Sequence, residues 1–233
     1  MMQRAEGPPQ TQVIIAALNE EPGIGSTISE LKEHLHNPKI LVVDGNSHDE
    51  TAKIAKNEGA EVIYQDGKGK GDAIAKAIES TNLNVDFVIL TDADYTYPAE
   101  HIPQMLKILE QNPDVGMVCG SRFDGLPDKM AWQGTFHFGN KLLAFAHNML
   151  NGVSLRDPLT GLRAVRAEIM RGWTAKSKGF DIEVELNHQV ERRGFKIVEI
   201  PIKYRQRLGE KKLGMKHGFT ILRRIMLERL SKA

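Results

Sequence analysis

Two spacings of apolar residues alternate along the chain. Compact apolar or β-branched runs at 12–18, 40–43, 61–64, 85–90 and 115–120, set off by polar, Gly or Pro residues, read as strands. Between them, apolar positions recur every three or four residues. Ile24, Ile28, Leu31 and Leu35 share one face of a helix over 23–36, and 48–58, the alanine-rich 70–80, and 99–111 supply further helices. Repeated strand–helix units joined by short turns predict an α/β fold, a parallel sheet with helices on both faces.

Past Arg122 the rhythm changes. Residues 123–133 read as loop, 158–165 as a strand and 182–193 as a helix. The stretch 138–150 reads as a helix of Leu, Ala, Phe and His; it could touch lipid, but the expectation is a buried helix with His137 and His147 satisfied. Over 195–204, Val198, Ile200 and Ile202 alternate with Glu199, Pro201 and Lys203, a half-buried strand. Pro201 cannot donate to a ladder, so this strand belongs at a sheet edge. From Gly218 onward, Phe219, Ile221, Leu222, Ile225, Met226 and Leu230 oppose Arg223, Arg224, Glu228 and Arg229 in an amphipathic helix. The polar residues before Thr11, with Pro8-Pro9, read as a loose leader. The expected division is one domain over 11–212 followed by an amphipathic basic helix over 213–233.

Composition alters this little. With 233 residues, 41% hydrophobic and 26% charged, the chain suits one large folded domain or one with an appendage. A single cysteine, Cys119, excludes an internal disulfide and a cysteine-rich zinc site, and its place in a strand makes it core. No N-terminal stretch joins a basic to an apolar region, and no apolar run nears the roughly 18 residues of a spanning helix. The expectation is an intracellular protein that does not cross a membrane. Charge says more. The net +1 conceals ten Lys/Arg against two Glu from Pro201 onward, with seven more acids than bases before that point. A basic tail on an acidic-leaning body points to an anionic partner at that end: nucleic acid, a phospholipid surface or a diphosphate.

Asp92-Ala93-Asp94 carries the most chemistry. It follows the apolar run 85–90, so two carboxylates stand at the C-terminal mouth of a parallel strand, where open α/β sheets bind ligands. Hard oxygens there suit Mg²⁺ or Mn²⁺ completed by phosphate oxygens and water, with a nucleotide diphosphate as the obvious ligand. Asp44 ends the second strand ahead of Gly45, two strand–helix units earlier. It should open on the same edge, and it suits a base or a ribose. Ser47 and Asp49 behind it equally suit a helix cap. Gly67-Lys68-Gly69-Lys70-Gly71 opens the third helix. Its glycines let a backbone approach a ligand and the helix N-terminus attracts anions, although a solvated turn has the same composition. The Lys-Ser/Thr of a nucleotide-hydrolase phosphate loop is missing, as is a dinucleotide fingerprint after the first strand.

Taken in order, Ile14-Ile15-Ala16-Ala17-Leu18-Asn19-Glu20-Glu21, Val43-Asp44-Gly45-Asn46-Ser47-x-Asp49-x-Thr51, the glycine turn, Thr91-Asp92-Ala93-Asp94-x-x-x-Pro98 and Gly120-Ser121-Arg122 resemble the inverting GT-A glycosyltransferases of family 2. The likeness spans about residues 13–212 and is closest to the polyprenol-phosphate sugar transferases, such as dolichyl-phosphate mannose and glucose synthases. It implies a GT-A fold, a Rossmann-like nucleotide-sugar-binding sheet with helices on both faces, plus the C-terminal helix. It also implies a nucleotide-diphosphate sugar donor and Mg²⁺ or Mn²⁺.

Carried over by position, Leu18, Glu20, Asp44 and Lys70 would line the nucleotide site, with Asp44 on the base. Asp92 and Asp94 would face metal and diphosphate. Thr96 stands where mannose-transferring relatives often carry Gln. Arg122 would reach the acceptor phosphate or the donor, and 157–163 resembles the segment near the acceptor pocket. Asp181 and Glu183 fall where other members place a catalytic carboxylate. Arg207 and Lys211 lie in 205–212, which resembles the cationic loop that closes over the diphosphate. The Gln-x-x-Arg-Trp signature of processive synthases is absent.

The implied activity is inverting, metal-dependent transfer of a hexose to polyprenyl (dolichyl-type) phosphate at the cytoplasmic face of a membrane. A UDP-sugar is favoured as donor, with GDP-mannose as the other candidate. A phosphate monoester is already anionic and needs no general base, so Asp181 and Glu183 would orient groups, and cations would matter more. Many relatives carry spanning helices beyond this point, so membrane contact here should be peripheral, through the C-terminal helix, unless its apolar stripe packs on the sheet instead. The rivals are a small soluble anionic acceptor, as in glucosyl-glycerate-type synthases, and a catalytically silent nucleotide-sugar-binding adaptor. A sugar-nucleotide pyrophosphorylase lacks its expected early Gly-rich signature. Nucleic acid is not an expected partner, because no aromatics interleave the basic tail.

Overall fold

The computed structural model describes residues 8–123, 135–151, 154–210, 212 and 214–231. The first half runs β1 (Thr11–Ala17), α1 (Glu21–His34), β2 (Lys39–Asp44), α2 (Thr51–Asn57), β3 (Glu61–Tyr64), α3 (Lys70–Ser80) and β4 (Phe87–Asp92). A 3-10 turn (Ala99–His101) then leads into α4 (Ile102–Gln111) and β5 (Val115–Ser121). The second half runs α5 (Thr135–Asn151), β6 (Arg163–Arg166), α6 (Ala167–Met170), α7 (Ile182–Arg192), β7 (Lys196–Pro201) and α8 (Met215–Ser231).

Seven strands form one sheet in the order β3-β2-β1-β4-β6-β5-β7. Residues alternate between its faces. Val13, Ile15, Val42 and Ile89 pack with Ile24 and Ile28 of α1 and Met105 and Leu109 of α4. Ile14, Leu41, Val43, Val88 and Leu90 pack with Ala73, Ile74 and Ala77 of α3 and Leu186 and Val190 of α7. Helices on both faces follow from that period of two.

The sheet is not wholly parallel as expected. β1 to β4 are parallel, but β6 runs antiparallel to both β4 and β5. α5, which precedes β6, packs against α8 instead of recrossing a sheet face. The chain therefore re-enters the sheet from the end at which β5 left it. β7 pairs parallel with β5 and is an edge strand, as Pro201 requires.

Some boundaries moved for identifiable reasons. α2 starts at Thr51 because residues 47–50 are drawn into bonds with the β1–α1 loop. β4 extends to Asp92, so the first carboxylate of the pair is part of the strand.

The two late helices share their apolar residues between core and solvent. In α8, Ile221 and Ile225 are buried with Val184 of α7. Phe219, Leu222, Met226 and Leu230 form a second stripe that is exposed. In α5, Ala144 and His147 are buried while Leu142, Phe145 and Met149 are exposed, so this helix is half-buried, contrary to expectation. One face meets the third core cluster and the other has no cover among the described residues. The side chain of His137 lies outside what is described.

Candidate active site

β1 lies between β2 and β4, both parallel to it, with Ala17 opposite Asp44 and Ala16 opposite Asp92. The strand order turns outward in both directions from β1, which places a crevice at the carboxyl ends of β1 and β4. Asp44 and Asp92 thus open on one edge. Each loop leaving that edge holds a residue in the left-handed region: Asn19 (φ 48°), Asn46 (φ 62°) and Tyr95 (φ 65°). Asparagine adopts this conformation at small cost. For Tyr95 it is a strained one, held under the Arg205 guanidinium 4.5 Å from the ring centroid.

The first two loops are laced together. Asp44 is fully buried and accepts from the Ser47 amide (2.8 Å) and hydroxyl (2.7 Å). The Asn19 amide donates to Ser47 Oγ (2.9 Å), and the Glu20 amide to Thr51 Oγ1 (2.8 Å). Asp44 therefore orders the rim of the crevice. Leu18 projects from the end of β1 with 42% of its surface exposed.

The Asp92-Ala93-Asp94 turn is held from three sides. The first turn of α1 presses on it so closely that a Cβ on Gly23 would lie 2.7 Å from the Ala93 carbonyl oxygen. Asp94 Oδ1 accepts from the Thr96 amide (3.2 Å) and hydroxyl (2.6 Å), so Thr96 orients this carboxylate. The Leu208 amide donates to the Asp94 carbonyl (3.0 Å) and that of Arg205 to the Thr96 carbonyl (3.0 Å), drawing the segment after β7 across the turn. Arg205 anchors this strap on Glu30 through two bonds of 2.8 and 2.6 Å.

Charges of both signs converge here. Lys70 Nζ lies 2.5 Å from Asp92 Oδ1 and 2.8 Å from Glu183 Oε1. Arg207 Nη2 lies 2.9 Å from Glu20 Oε1 and 3.5 Å from Asp94 Oδ2, and Lys212 Nζ donates to the Asn19 carbonyl (3.1 Å). Burial alone would lower the Lys70 pKa, but Asp92 and Glu183 outweigh it and hold the ammonium well above its ordinary value. Burial, and then the neighbouring Asp92 charge, raises the Asp94 pKa. Burial lifts Glu20 to about 7 against the opposing pull of Arg207. Two buried polar atoms at this site, Glu183 Oε2 and Arg207 Nε, have no hydrogen-bond partner among the described residues. A site with two adjacent carboxylates, one reluctant to ionise, favours an added cation.

The glycine turn differs from its expected use. A Cβ on Gly69 would lie 2.4 Å from the Lys178 carbonyl oxygen, and one on Gly71 2.3 Å from that of Ser177. The amides of Gly71 and Asp72 donate to the carbonyls of Gly179 (3.1 Å) and Lys178 (3.1 Å). Close backbone approach is therefore spent on the 177–179 segment, and the Gly71 and Asp72 amides in the first turn of α3 are already paired. What this turn delivers to the site is Lys70.

The remaining expected residues separate. Arg122 forms a bidentate pair with Asp157, both bonds 2.7 Å, and lies 5.6 Å from the Tyr204 ring centroid. Asp181 turns to Arg224 of α8 (3.2 Å) rather than to Lys70. Lys211 lies outside the described residues. Sequence reasoning missed Arg163, which is buried and donates to the carbonyls of Thr160 (2.9 Å) and Pro158 (2.7 Å) and to Asn187 Oδ1 (2.6 Å), fixing the 157–161 loop. That loop brings Gly161 against Asp92 Oδ2, where a Cβ would stand 2.6 Å away. Arg163 ended the segment marked as near the acceptor, but nothing in its sequence context announced a buried guanidinium.

The family model for glycosyl transferase family 2 matches residues 12–173, which hold all of these strand-end motifs. The chain belongs to that family. It is a glycosyltransferase with the GT-A fold. Among curated relatives, it is 34% identical over 226 residues to a dolichyl-phosphate hexose transferase of Haloferax volcanii, covering 94% of this chain and 95% of that one. It is 29% identical to an undecaprenyl-phosphate mannosyltransferase of Micrococcus luteus, covering 86% of each. Among solved structures, glucosyl-3-phosphoglycerate synthase of Mycobacterium tuberculosis, in complex with Mn²⁺, UDP-glucose and glycerol 3-phosphate, superposes with a TM-score of 0.73. The match is 20% identical and covers 96% of this chain and 79% of that one.

Proposed function

We propose that this chain transfers a hexose, with inversion, from a nucleotide-diphosphate sugar to polyprenyl (dolichyl-type) phosphate, using Mg²⁺ or Mn²⁺. The observation that carries the reading is the convergence of Asp92, Asp94, Lys70 and Arg207 at the crevice, in a chain that matches a dolichyl-phosphate hexose transferase along nearly its whole length.

The donor set suits the cation. No group of three or more His, Cys, Asp or Glu side chains with metal-binding geometry occurs among the described residues. Asp92 and Asp94 offer hard oxygens one residue apart, and Mg²⁺ is commonly held by one or two carboxylates with substrate phosphates completing its shell. These two residues would hold it. When bound, it would stabilise the charge that builds on the diphosphate leaving group.

Arg207 and Lys212 supply the protein's own share of that stabilisation. Arg207 now spans Glu20 and Asp94, and its unpartnered Nε leaves a donor for an incoming phosphate. Lys70 keeps Asp92 and Glu183 from repelling each other. An oxygen of the acceptor phosphate attacks the anomeric carbon from the face opposite the diphosphate. A new carbon–oxygen bond forms as the bond to the nucleoside diphosphate breaks. The attacking group is already anionic, so no side chain need take its proton, and Glu183 orients groups instead.

Peripheral membrane contact, on the cytoplasmic side, fits the same substrate. Phe219, Leu222, Met226 and Leu230 make an exposed stripe on α8 flanked by exposed Arg223 and Arg229, and Leu142, Phe145 and Met149 make another on the adjoining α5. No described helix is long and apolar enough to cross a membrane. The test is a donor screen with UDP-glucose, UDP-N-acetylglucosamine and GDP-mannose, followed by NMR of the anomeric proton of the lipid product. The reading expects an inverted configuration from one preferred donor, a UDP-sugar foremost. A retained configuration, or no lipid product from any donor, would refute it.

A further inference from the structure

One guanidinium ties α8 to the catalytic side of the sheet. Arg224 lies on the inward face of α8, with its side chain 12% exposed. Its Nε is 3.2 Å from Asp181 Oδ2, its Nη2 3.7 Å from Glu185 Oε2 and its Nη1 3.5 Å from Glu228 Oε1. Glu185 extends the connection, because its two oxygens accept the amides of Lys176 (2.8 Å) and Ser177 (2.6 Å). That fixes the segment whose next two carbonyls, at Lys178 and Gly179, receive the amides of Asp72 and Gly71. Lys70 directly precedes Gly71 and bridges Asp92 to Glu183.

We propose that Arg224 is a positioning residue for the transfer reaction. It seats the 176–179 segment against the glycine turn and so holds Lys70 on Asp92. The consequence is that α8, whose outer stripe is apolar and exposed, helps set the geometry of the site. The physical basis is charge. Asp181, Glu183 and Glu185 fall within five residues at the start of α7 and are all buried, and Glu228 faces them from α8. Without Arg224, Glu185 keeps only its two amides while like charges stand nearby, and the cheapest relief is to move the short 176–179 segment. The inference rests on the reading of Asp92 and Lys70 as parts of the donor site.

The same two helices offer an internal control. Arg192 of α7 pairs with Glu228 of α8 at 2.9 Å and, among the described residues, forms no ion pair with Asp181 or Glu185. The experiment compares wild type, Arg224→Met, Arg224→Lys and Arg192→Ala in the full chain, by amide exchange read residue by residue in NMR and by sugar transfer to polyprenyl phosphate in detergent. Arg224→Met should speed exchange at Gly71, Asp72, Lys176 and Ser177 at least about tenfold while β1 and β2 keep their protection. It should lower kcat by about tenfold or more with little change in the donor KM. Arg224→Lys should recover much of both, and Arg192→Ala should change neither.

Unchanged exchange at those four amides would overturn the proposal. So would a uniform rise throughout the sheet, or faster local exchange with an unchanged kcat. A wild-type protein without transfer activity would refute the functional reading, and the exchange rates would still decide the positioning role of Arg224.

Discussion

Gly71→Ala sets helix propensity against packing, and the two predict opposite signs. Gly71 lies in the first turn of α3 and has no positive φ. Propensity alone would therefore make alanine stabilising by up to about 1 kcal/mol. The added Cβ, however, would lie 2.3 Å from the Ser177 carbonyl oxygen, 2.7 Å from its carbon and 2.9 Å from that of Lys178. All three are backbone atoms that cannot rotate away. Reaching even a tight contact means parting the two segments by roughly 0.7 Å, and overpacking of that kind costs about 1–3 kcal/mol. The bonds from Gly71 and Asp72 to Gly179 and Lys178, already 3.1 Å each, would stretch past useful length, costing about 1 kcal/mol apiece. Net of propensity, the variant should be destabilised by about 2–4 kcal/mol.

Urea denaturation measures this directly, with Gly172→Ala as the comparison. Gly172 has φ 70° with nothing within 4 Å of an added Cβ, so its substitution should cost only about 1 kcal/mol of backbone strain. Gly71→Ala should also lower kcat by about tenfold or more with little change in the donor KM, because the displaced turn carries Lys70 off Asp92. A Gly71→Ala protein as stable as wild type, or more so, would refute the claim that this turn exists to seat α3 against residues 177–179.

Other outcomes follow from the same geometry. Asp94→Asn should weaken binding of UDP in the presence of Mn²⁺ by about 100-fold or more, since losing even an outer partner of a metal ligand costs 10–100-fold. It should leave stability in EDTA equal or higher, because burial and Asp92 disfavour the ionised Asp94; isothermal titration and thermal melts check the two halves. Glu20 holds its proton to about pH 7 when folded but only to 4.5 when unfolded. The unfolded chain therefore binds fewer protons across that window, and stability in EDTA must fall as pH rises through it. Glu20→Gln should remove about 1–2 kcal/mol of that fall, allowing for its place at the rim, and unfolding curves from pH 5 to 8 would reveal a lack of flattening. Arg163→Met removes the donor from the Thr160 carbonyl and Asn187 Oδ1, while the Pro158 carbonyl keeps Asn187 Nδ2, and should cost about 2–3 kcal/mol in chemical denaturation. The paired change Phe219→Ser with Leu230→Ser should cut binding to anionic vesicles at least about tenfold in flotation, given the roughly 1.5–3 kcal/mol held by each large apolar side chain.

The strands and helices up to Val115 were legible because each buried strand is an uninterrupted apolar run and each helix repeats every three or four residues. The acidic strand ends were legible for the same reason, as a carboxylate closing such a run has few structural uses. The direction of β6 was not legible. Residues 158–165 have the composition of a strand, but direction depends on where α5 packs, and no local pattern encodes that. The glycine turn misled because close approach to a ligand and close approach to another backbone require the same residues. Arg122 and Arg163 are alike in sequence as isolated cations near loops, and only the fold gives one to Asp157 and the other to carbonyls. On α8 the packing face carries Ile221, Arg224 and Ile225, and the opposite face leaves Phe219, Leu222, Met226 and Leu230 exposed, a division that the amphipathic pattern alone did not decide.

The acceptor is tested most directly by offering two acceptors in one vessel. Polyprenyl phosphate and 3-phosphoglycerate would be supplied together with labelled sugar nucleotide and Mn²⁺, and the organic and aqueous phases counted for wild type, for Asp94→Asn and for wild type in EDTA. Wild type with metal should put label in the organic phase, and the other two reactions should lose it. Label confined to a water-soluble glycoside, with none in the lipid fraction, would contradict a lipid acceptor.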